Sequence, residues 1–417
     1  MFDRAYRPGA CARDLFMESQ TPDLCSQFAG TLIEASRVAL PKVILKFASA
    51  DNFSLKARIE IQRDKNATKR PTMTERIRAA KTLENVRKAD GDREYENSTR
   101  KRRFLLAGFA GLFLLFSPSC HAKSVTFDTG MVCGVNIPRP DHNPALHEQI
   151  AHTAHGTIGY YKFGQGSPIV LITGFRATIS EWNAYFLGGL AQSHEVVVFD
   201  NRNIGKSSSS STNYGIQDLS HDTLALIKTL GLKNVTLLGW SMGGMAAQQL
   251  ALDHPPEIAR LILLSTAPPG RDAIPLSPYV EQLLSGGKGA SFDNIMDVLF
   301  PPDTQDQAKK CFVQDMFKPS GYDAPKILQN VTTAQQNILR NWQSDNQLLE
   351  HLRSLDLPTL ILAGENDAVL PSENAVRLNH LIPHSRLIEV HDGGHAMMYQ
   401  YPVQLSHLID NYLEAGN

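Results

Sequence analysis

The chain has 417 residues, of which 42% are hydrophobic and 20% are charged, so it carries enough apolar material for a globular core and is not a wholly disordered or fibrous protein. The formal net charge of -1 conceals an asymmetry, because residues 1–103 hold 22 of the 41 Lys and Arg residues but only 14 of the 42 Asp and Glu residues. Residues 104–417 therefore carry a net negative charge, which argues against nucleic acid as a partner.

Residues 1–99 show weak hydrophobic periodicity and contain no recognisable motif. We therefore expect this N-terminal extension to be mostly disordered, or not translated at all because translation starts later, with Met73 as one candidate start. The alternative is a genuine cytosolic segment that precedes a membrane anchor.

Residues 100–122 have the three parts of a secretory signal. The basic cluster Arg100–Arg103 is followed by the apolar run Phe104–Phe116 and then by small residues that end at Ala122. The apolar run is 13 residues long, whereas a membrane-spanning helix needs about 20. We predict cleavage after Ala122 and export to the periplasm or the medium, with transient membrane contact. The alternatives are a buried helix, an uncleaved anchor, and a lipoprotein anchored at Cys120.

Residues 123–155 are polar and contain prolines at positions 138, 140 and 144, which predicts a strap or linker. Cys133 lies in this segment, and Cys311 is the other cysteine that would remain after export. The two cysteines could form one disulfide or stay as free thiols.

Beyond residue 156, short apolar runs alternate with segments of helical pattern. The apolar runs predict strands at about 157–163, 168–175, 195–200, 234–240, 260–266, 358–364 and 385–390. The helical patterns lie at about 215–231, 242–253, 371–382 and 397–414. This alternation predicts an α/β fold with a mostly parallel central sheet flanked by helices.

The residues Gly239-Trp240-Ser241-Met242-Gly243 fit the pattern G-x-S-x-G between a predicted buried strand and a predicted helix. Such a turn is too tight for side chains at the two glycine positions, and it exposes the serine hydroxyl above the N-terminus of the helix. We therefore predict that Ser241 is a catalytic nucleophile. The alternative is a glycine-rich helix start with a capping serine.

A serine nucleophile needs a base and an acid that orients the base, and after this type of turn the acid precedes the histidine in the chain. Asp367 follows the strand predicted at 358–364, and His395 follows two glycines after the last predicted strand. We assign Asp367 as the acid and His395 as the base. Glu365 and His391 are the rival candidates for these two roles.

From about Gly156 to the C-terminus these motifs resemble the α/β-hydrolase fold family, and more narrowly its esterases, lactonases, haloperoxidase-like enzymes and aminopeptidases. Residues 168–175 resemble the strand and turn that carry the second oxyanion donor of that family. The resemblance therefore implies an oxyanion hole formed by the backbone N–H groups of Phe175 and Met242.

Two positions depart from the family pattern. Thr173 stands where the family commonly has histidine, which alters the support of the loop more than the mechanism. Asn203 stands where a structural turn usually has glycine, and asparagine tolerates a left-handed backbone.

The interval 267–357 interrupts the β/α alternation. The resemblance implies a helical cap here, at about 271–355, that sets the specificity for the substrate.

The resemblance implies a serine hydrolase that cleaves a small-molecule carboxylic ester, thioester or lactone through an acyl-enzyme, with neither a metal nor an organic cofactor, and the signal-like segment predicts that this hydrolase is exported. One alternative is an iminopeptidase-like aminopeptidase, in which Glu281, Asp293 and Asp297 of the cap could hold a substrate ammonium group. The other alternative is a catalytically silent binding protein of the same fold.

Overall fold

The structure is a computed structural model that describes residues 17–19, 43–48, 55–61, 123–127 and 131–415. The chain divides into two compact units, Met1–Leu114 and Leu115–Asn417. In the first unit, the strands form an antiparallel sheet of order β1-β3-β2, with β1 at Met17–Ser19, β2 at Val43–Ala48 and β3 at Leu55–Ile61. These strands were not predicted from the sequence, although apolar and polar residues alternate along β3.

The rest of residues 1–99 and the whole signal-like segment 100–122 lie outside the described residues. The disordered extension, the later start of translation and the cleaved signal therefore stay predictions.

The second unit is built on a nine-stranded sheet of order β4-β12-β11-β10-β9-β7-β8-β6-β5. Its strands are β4 (Lys123–Val125), β5 (Gln149–Thr153), β6 (Gly156–Gly164), β7 (Ser167–Ile172), β8 (His194–Phe199), β9 (Val235–Trp240), β10 (Ile258–Leu264), β11 (Thr359–Gly364) and β12 (Ser385–Val390). The seven strands from β4 to β8 in this order pair in parallel, whereas β6 pairs antiparallel with β8 and with β5. The mostly parallel sheet predicted from the sequence is confirmed.

Every residue of the central strands β9 and β11 is buried. Helices pack on both faces of such strands, so the sequences of these strands are continuous apolar runs. These runs are the reason that both strands could be located from the sequence.

The described helices of this unit are α1 (Ala184–Leu190), α2 (Ile216–Thr229), α3 (Met242–Leu252), α4 (Pro278–Leu284), α5 (Phe292–Leu299), α6 (Gln305–Asp315), α7 (Gln329–Ser344), α8 (Asn346–His351), α9 (Glu373–Leu381), α10 (Met397–Gln400) and α11 (Pro402–Ala415).

The C-terminal helix predicted at 397–414 is two helices, α10 and α11. The break falls at Tyr401, immediately before Pro402. Proline has no backbone N–H and restricts the residue before it, so it starts a new helix more readily than it continues one. The second of these helices, α11, packs against α1.

The segment 123–155 is more than the strap or linker predicted from its polarity, because both of its ends are strands of the sheet. β4 pairs in parallel with β12, and β5 pairs antiparallel with β6. Only one residue of β5, Ala151, is fully buried, since an edge strand packs on one face and pairs along one side. Both strands belong to the second unit, so the described part of that unit starts at Lys123, ahead of the boundary predicted at Gly156.

Helices replace strands between β10 and β11, where α4 to α8 and several short 3-10 turns make up the interval in which the cap was predicted at about 271–355. The N-terminal segment is fastened to this cap. Arg139 pairs with Asp141 and donates hydrogen bonds to the carbonyl oxygens of Gln314, in the last turn of α6, and of Met316, which follows α6.

A disulfide joins Cys133 to Cys311 of α6, and the two Cα atoms are 4.8 Å apart across a separation of 178 residues. The pairing that the sequence left open is therefore formed. Cys311 is fully buried, so the bond connects the N-terminal segment to the inside of the cap.

Replacing both cysteines by alanine is expected to lower the free energy of unfolding, because the unfolded chain then loses a long covalent loop. The loop-entropy relation gives about 5 kcal/mol as an upper value for a loop of this length. Urea denaturation of the wild type, with and without reductant, measures the effect. The reduced wild type should match the double variant, and equal stability of all three samples would contradict a structural role for the bond.

Candidate active site

Ser241 lies on a sharp turn between β9 and α3, with backbone angles of φ 57° and ψ -122°. A non-glycine residue in this region is strained, and such strain concentrates at functional sites. A side chain is excluded on both sides, since a Cβ at Gly239 would lie 2.4 Å from the carbonyl oxygen of Gly243, and a Cβ at Gly243 would lie 2.1 Å from that of Ile172. The predicted elbow is thus present in the structure.

Asp367 and His395 form a buried hydrogen-bonded pair, with 2.8 Å between Oδ2 and Nδ1 and side chains only 1% and 3% exposed. The other oxygen of Asp367, Oδ1, accepts the backbone N–H groups of Val369 and Leu370, each at 2.8 Å. These bonds fix the carboxylate and direct it at the ring. With Nδ1 occupied, Nε2 is the ring nitrogen left for a second partner.

The residue before the nucleophile anchors the histidine loop. The indole N–H of Trp240 donates to the carbonyl oxygen of His395 at 3.0 Å, and the two rings lie 5.7 Å apart. Ser241 is buried as well, with 8% of the whole residue exposed. The structure thus brings all three predicted residues to one buried place at the carboxyl end of the parallel strands, where open α/β sheets bind their ligands.

The two rival candidates, Glu365 and His391, pair with each other on the surface. His391 Nδ1 lies 2.8 Å from Glu365 Oε2, with side chains 50% and 31% exposed. Ser124 of β4 donates to the other carboxylate oxygen at 2.7 Å, and this bond, then that from His391, lowers the pKa of Glu365. This second acid–histidine pair thus fastens the edge strand β4 and is separate from the buried pair.

The loop after β7 passes directly beside the nucleophile. A Cβ at Gly174 would lie 3.2 Å from Cβ of Ser241, so Phe175 follows at the edge of the elbow while Met242 opens α3 on its other side. The first amides of a helix have no partner within the helix. The two residues implied as oxyanion donors are therefore close to Ser241, since Met242 follows it in the chain and Phe175 follows the glycine that contacts it.

Asn201 braces this loop at the position where the sequence departs from the family. Its side-chain amide donates to the carbonyl oxygen of Thr173 at 3.1 Å and to the hydroxyl of Thr173 at 3.0 Å. Asn203 has φ 62°, as predicted for the turn that follows β8, and its side chain bonds the backbone of Ser209 and Ser211.

Asp200 is a buried carboxyl in the same turn. It accepts the backbone N–H of Ile179 at 2.8 Å and the hydroxyl of Tyr322 at 3.2 Å. Burial raises the pKa of Asp200 to about 7, although both hydrogen bonds act in the opposite direction, and burial also raises the pKa of the neighbouring Glu181.

A raised pKa in the folded state means that the folded protein binds this proton more tightly than the unfolded chain. The contribution of Asp200 to stability is therefore complete below about pH 4 and is lost as the pH rises through about 7. The wild type is expected to lose stability between pH 5 and pH 8, and Asp200→Asn is expected to lose less. Urea midpoints of both proteins at the two pH values measure this difference. An identical pH dependence of the two midpoints would contradict a raised pKa of Asp200.

Sequence reasoning missed the contacts between this loop and the cap. The backbone N–H of Arg176 donates to Oε1 of Gln335 on α7 at 2.7 Å. No local signal identifies this pair, because the two residues are 159 positions apart.

Among the described residues, no group of three or more His, Cys, Asp or Glu side chains is arranged to hold a metal ion.

Comparisons with known proteins identify the family to which this fold belongs. The profile described as alpha/beta hydrolase fold matches residues 167–402. A putative non-heme chloroperoxidase from Synechocystis is 28% identical over 62% of this chain and 95% of its own length. A pimeloyl-[acyl-carrier protein] methyl ester esterase from Aeromonas hydrophila is 24% identical over 62% of this chain and 99% of its own.

Solved structures share the fold. An alpha/beta hydrolase fold protein from Chitinophaga pinensis superimposes with a TM-score of 0.57 at 22% identity, covering 65% of this chain and 98% of that one. A thermophilic esterase from Thermogutta terrifontis gives a TM-score of 0.52 at 23% identity, over 64% and 98% of the two chains. At these identities the likeness concerns the arrangement of helices and strands.

Proposed function

Because this chain belongs to the α/β-hydrolase fold family, we propose that it is a serine hydrolase that cleaves a carboxylic ester, thioester or lactone through an acyl-enzyme. One observation carries the proposal. The buried bond between Asp367 and His395 is anchored through Trp240 to the strained turn that presents Ser241.

The proposed reaction begins when the Ser241 hydroxyl oxygen attacks the substrate carbonyl carbon and its proton passes to Nε2 of His395. Asp367 holds the ring in position and stabilises the imidazolium. The backbone N–H groups of Phe175 and Met242 bind the oxyanion, and each such donor contributes about 3 kcal/mol. His395 then returns the proton to the departing alcohol or thiol, which leaves the acyl group on Ser241.

Water completes the cycle. His395 removes a proton from the water as its oxygen attacks the acyl-enzyme, and the proton then goes to the Ser241 oxygen as the carboxylic acid departs. Each proton taken up by the histidine is thus returned, and the enzyme ends in its starting state.

The test is a substrate screen with the purified protein. It compares p-nitrophenyl esters of increasing acyl length, lactones, and aminoacyl p-nitroanilides at equal concentration. We expect hydrolysis of esters or lactones well above that of the anilides. Exclusive cleavage of aminoacyl substrates would replace the ester proposal by the aminopeptidase alternative, and no turnover with any substrate would favour a silent binding protein.

Two of the three acidic residues that the aminopeptidase alternative would use already have partners among the described residues. Asp297 forms an ion pair with Lys309 at 2.8 Å, and Glu281 lies 3.7 Å from Arg340 and accepts a hydrogen bond from Gln336. Asp293 is exposed. The buried Asp367–His395 pair in turn argues against a silent binding protein, which has no need of it.

We propose in addition that the protein is exported, as its signal-like segment suggests. Two observations support the proposal. The Cys133–Cys311 disulfide is typical of an oxidising compartment, and the described part of the sheet begins at Lys123, so cleavage after Ala122 would remove no described residue of the sheet. No helix within the described residues is long and apolar enough to cross a membrane.

Mass spectrometry of the protein purified from its native host tests export. We expect an N-terminus at Lys123 in a periplasmic or culture fraction. A lipid-bearing N-terminus at Cys120 would indicate a lipoprotein instead. An intact chain that starts at Met1 in the cytosol would contradict export.

A further inference from the structure

The loop that carries His395 reaches it through two glycines, Gly393 and Gly394, and glycine restricts the backbone less than any other residue. The space around both positions admits no side chain. A Cβ at Gly393 would lie 2.9 Å from Cα of Gly364, where β11 ends, and a Cβ at Gly394 would lie 2.5 Å from a carbonyl oxygen of the cap, that of Leu299. The two residues directly before the histidine therefore have no side chains that could fasten the loop.

The side chain of Gln400 bridges this part of the loop. Its Oε1 accepts the backbone N–H of Gly394 at 2.7 Å, and its Nε2 donates to the carbonyl oxygen of Asp392 at 2.9 Å. Gln400 is 1% exposed, and a hydrogen bond made away from water is electrostatically stronger than one in water. One buried amide thus spans Gly393 and uses both of its polar ends on the backbone of the loop.

Gln400 stands on a packed helix. It is the last residue of α10, and all four residues of this helix are buried. The ring of its neighbour Tyr399 stacks on Phe312 of α6, with 4.3 Å between the centroids, and meets the ring of Phe300 edge-on at 6.4 Å. Precise sites depend on side chains that are themselves held by packing. Aromatic residues of the cap therefore support the helix from which the amide reaches the loop.

Two other contacts hold the histidine at different atoms. Asp367 binds ring Nδ1, and the indole N–H of Trp240 donates to the carbonyl oxygen of His395. These bonds act on His395 itself, whereas Gln400 acts on the backbone one and three residues ahead of it. The three contacts are therefore complementary.

We propose that Gln400 is a positioning residue for catalysis, which holds the glycine loop so that Nε2 of His395 stays directed at the hydroxyl of Ser241. This inference rests on the serine hydrolase function proposed above. A general base must lie within hydrogen-bond reach of the proton that it takes, and a displacement of about 1 Å can cost about a hundredfold in rate. Because both polar ends of the amide bind the protein's own backbone, its loss should lower kcat and leave KM nearly unchanged.

The test is a set of substitutions assayed on the best ester of the screen. Gln400→Met removes both hydrogen bonds while keeping an unbranched side chain of similar size. We expect its kcat to fall by about a hundredfold, with KM within about threefold of the wild type. Gln400→Glu keeps an acceptor for the N–H of Gly394 and should recover a large part of the lost kcat.

Gln249→Met is the matched control. Gln249 lies in the last turn of α3, is also buried, and donates to Asp253 at 3.2 Å. Its substitution removes a buried amide of the same size that does not bind the histidine loop. We expect the kcat of this variant to stay within about threefold of the wild type.

A second measurement follows His395 without any substrate. In a proton NMR spectrum, an imidazole Nδ1–H that is bonded to a buried carboxylate gives a resonance far downfield, and its absence from His395→Ala assigns it. We expect this resonance in the wild type and in Gln249→Met. In Gln400→Met it should be broadened or lost, because the released loop lets the ring move away from Asp367.

The outcomes separate this inference from the proposed function. An unchanged kcat and an unchanged resonance in Gln400→Met, even with a lower urea midpoint, would make the glutamine a purely structural residue and overturn the inference. An equal fall in kcat for Gln249→Met would overturn it as well. If neither a fluorophosphonate probe nor any ester reacts with the wild type, the hydrolase proposal fails, and the resonance still decides whether Gln400 positions His395.

Gln400→Asn supplies the same test if Gln400→Met does not fold. It retains an amide that is one methylene too short to reach both backbone groups, so we expect a loss of kcat of about tenfold and a broadened resonance. Wild-type kcat and an unchanged resonance in this variant would contradict the proposed role.

Discussion

Ser241→Ala is expected to reduce ester hydrolysis by about a million-fold, close to the uncatalysed rate, because no other hydroxyl can form the acyl-enzyme. The buried Asp–His pair and the oxyanion amides would remain, but they have no nucleophile to assist. A fluorophosphonate probe should label the wild type and leave the variant unlabelled. Folding is checked in parallel by the urea midpoint, which a change from serine to alanine should alter little.

Ser265→Ala is the matched control. Ser265 lies directly after β10, is 3% exposed, has a positive φ of 47°, and its hydroxyl has no hydrogen-bond partner among the described residues. It is therefore a buried serine at the same edge of the sheet but outside the proposed triad. Labelling of Ser241→Ala at full strength, or loss of labelling in Ser265→Ala alone, would show that the nucleophile has been misassigned.

His395→Ala is expected to cost about as much as loss of the serine, because the hydroxyl then has no base. Asp367→Asn should cost about ten-thousand-fold, because an amide can favour the wrong tautomer of the ring while leaving the geometry almost intact. The kcat of each variant, measured on the best ester of the screen, gives the size of both effects. Combining either change with Ser241→Ala should add little, since the three residues act as a unit.

The surface pair supplies the control for this second prediction. His391→Ala and Glu365→Gln remove an acid–histidine pair with the same 2.8 Å contact, only four and two residues away from the buried one in the chain. We expect their kcat to stay within about threefold of the wild type, because the pair fastens β4 and is solvent-exposed. An inactive His391→Ala beside an active His395→Ala would reverse the assignment of the base.

Much of the fold and of the site could be predicted because the signals are local. β9 and β11 are buried on both faces and therefore apolar throughout, so their length and position are visible in the chain. The elbow is local as well, since the close approach of Gly239 to Gly243 involves neighbours four residues apart. The order of acid and base along the chain then restricted the partners of Ser241 to a few candidates.

Some predictions were wrong even though a local signal existed. Pro402 marks the break between α10 and α11, but the apolar pattern on both sides of it favoured one continuous helix. The edge strands β4 and β5 were interpreted as a linker because a strand with one packed face can be mostly polar. In both cases the prediction relied on the apolar or polar character of the segment, whereas the backbone decided the structure, through proline in the first case and edge-strand pairing in the second.

By itself the sequence determined where the chain turns, which strands are buried and which serine stands at the elbow, because these depend on backbone sterics and side-chain burial over a few residues. Only the tertiary structure decided which acid meets which histidine, that Cys133 meets Cys311, and that the Arg176 side chain meets the carbonyl oxygen of Leu284 at the end of α4. These pairings join residues 26 to 178 positions apart, and they form only after the sheet has brought distant segments together. Their energies depend on burial and geometry that no short stretch of sequence contains.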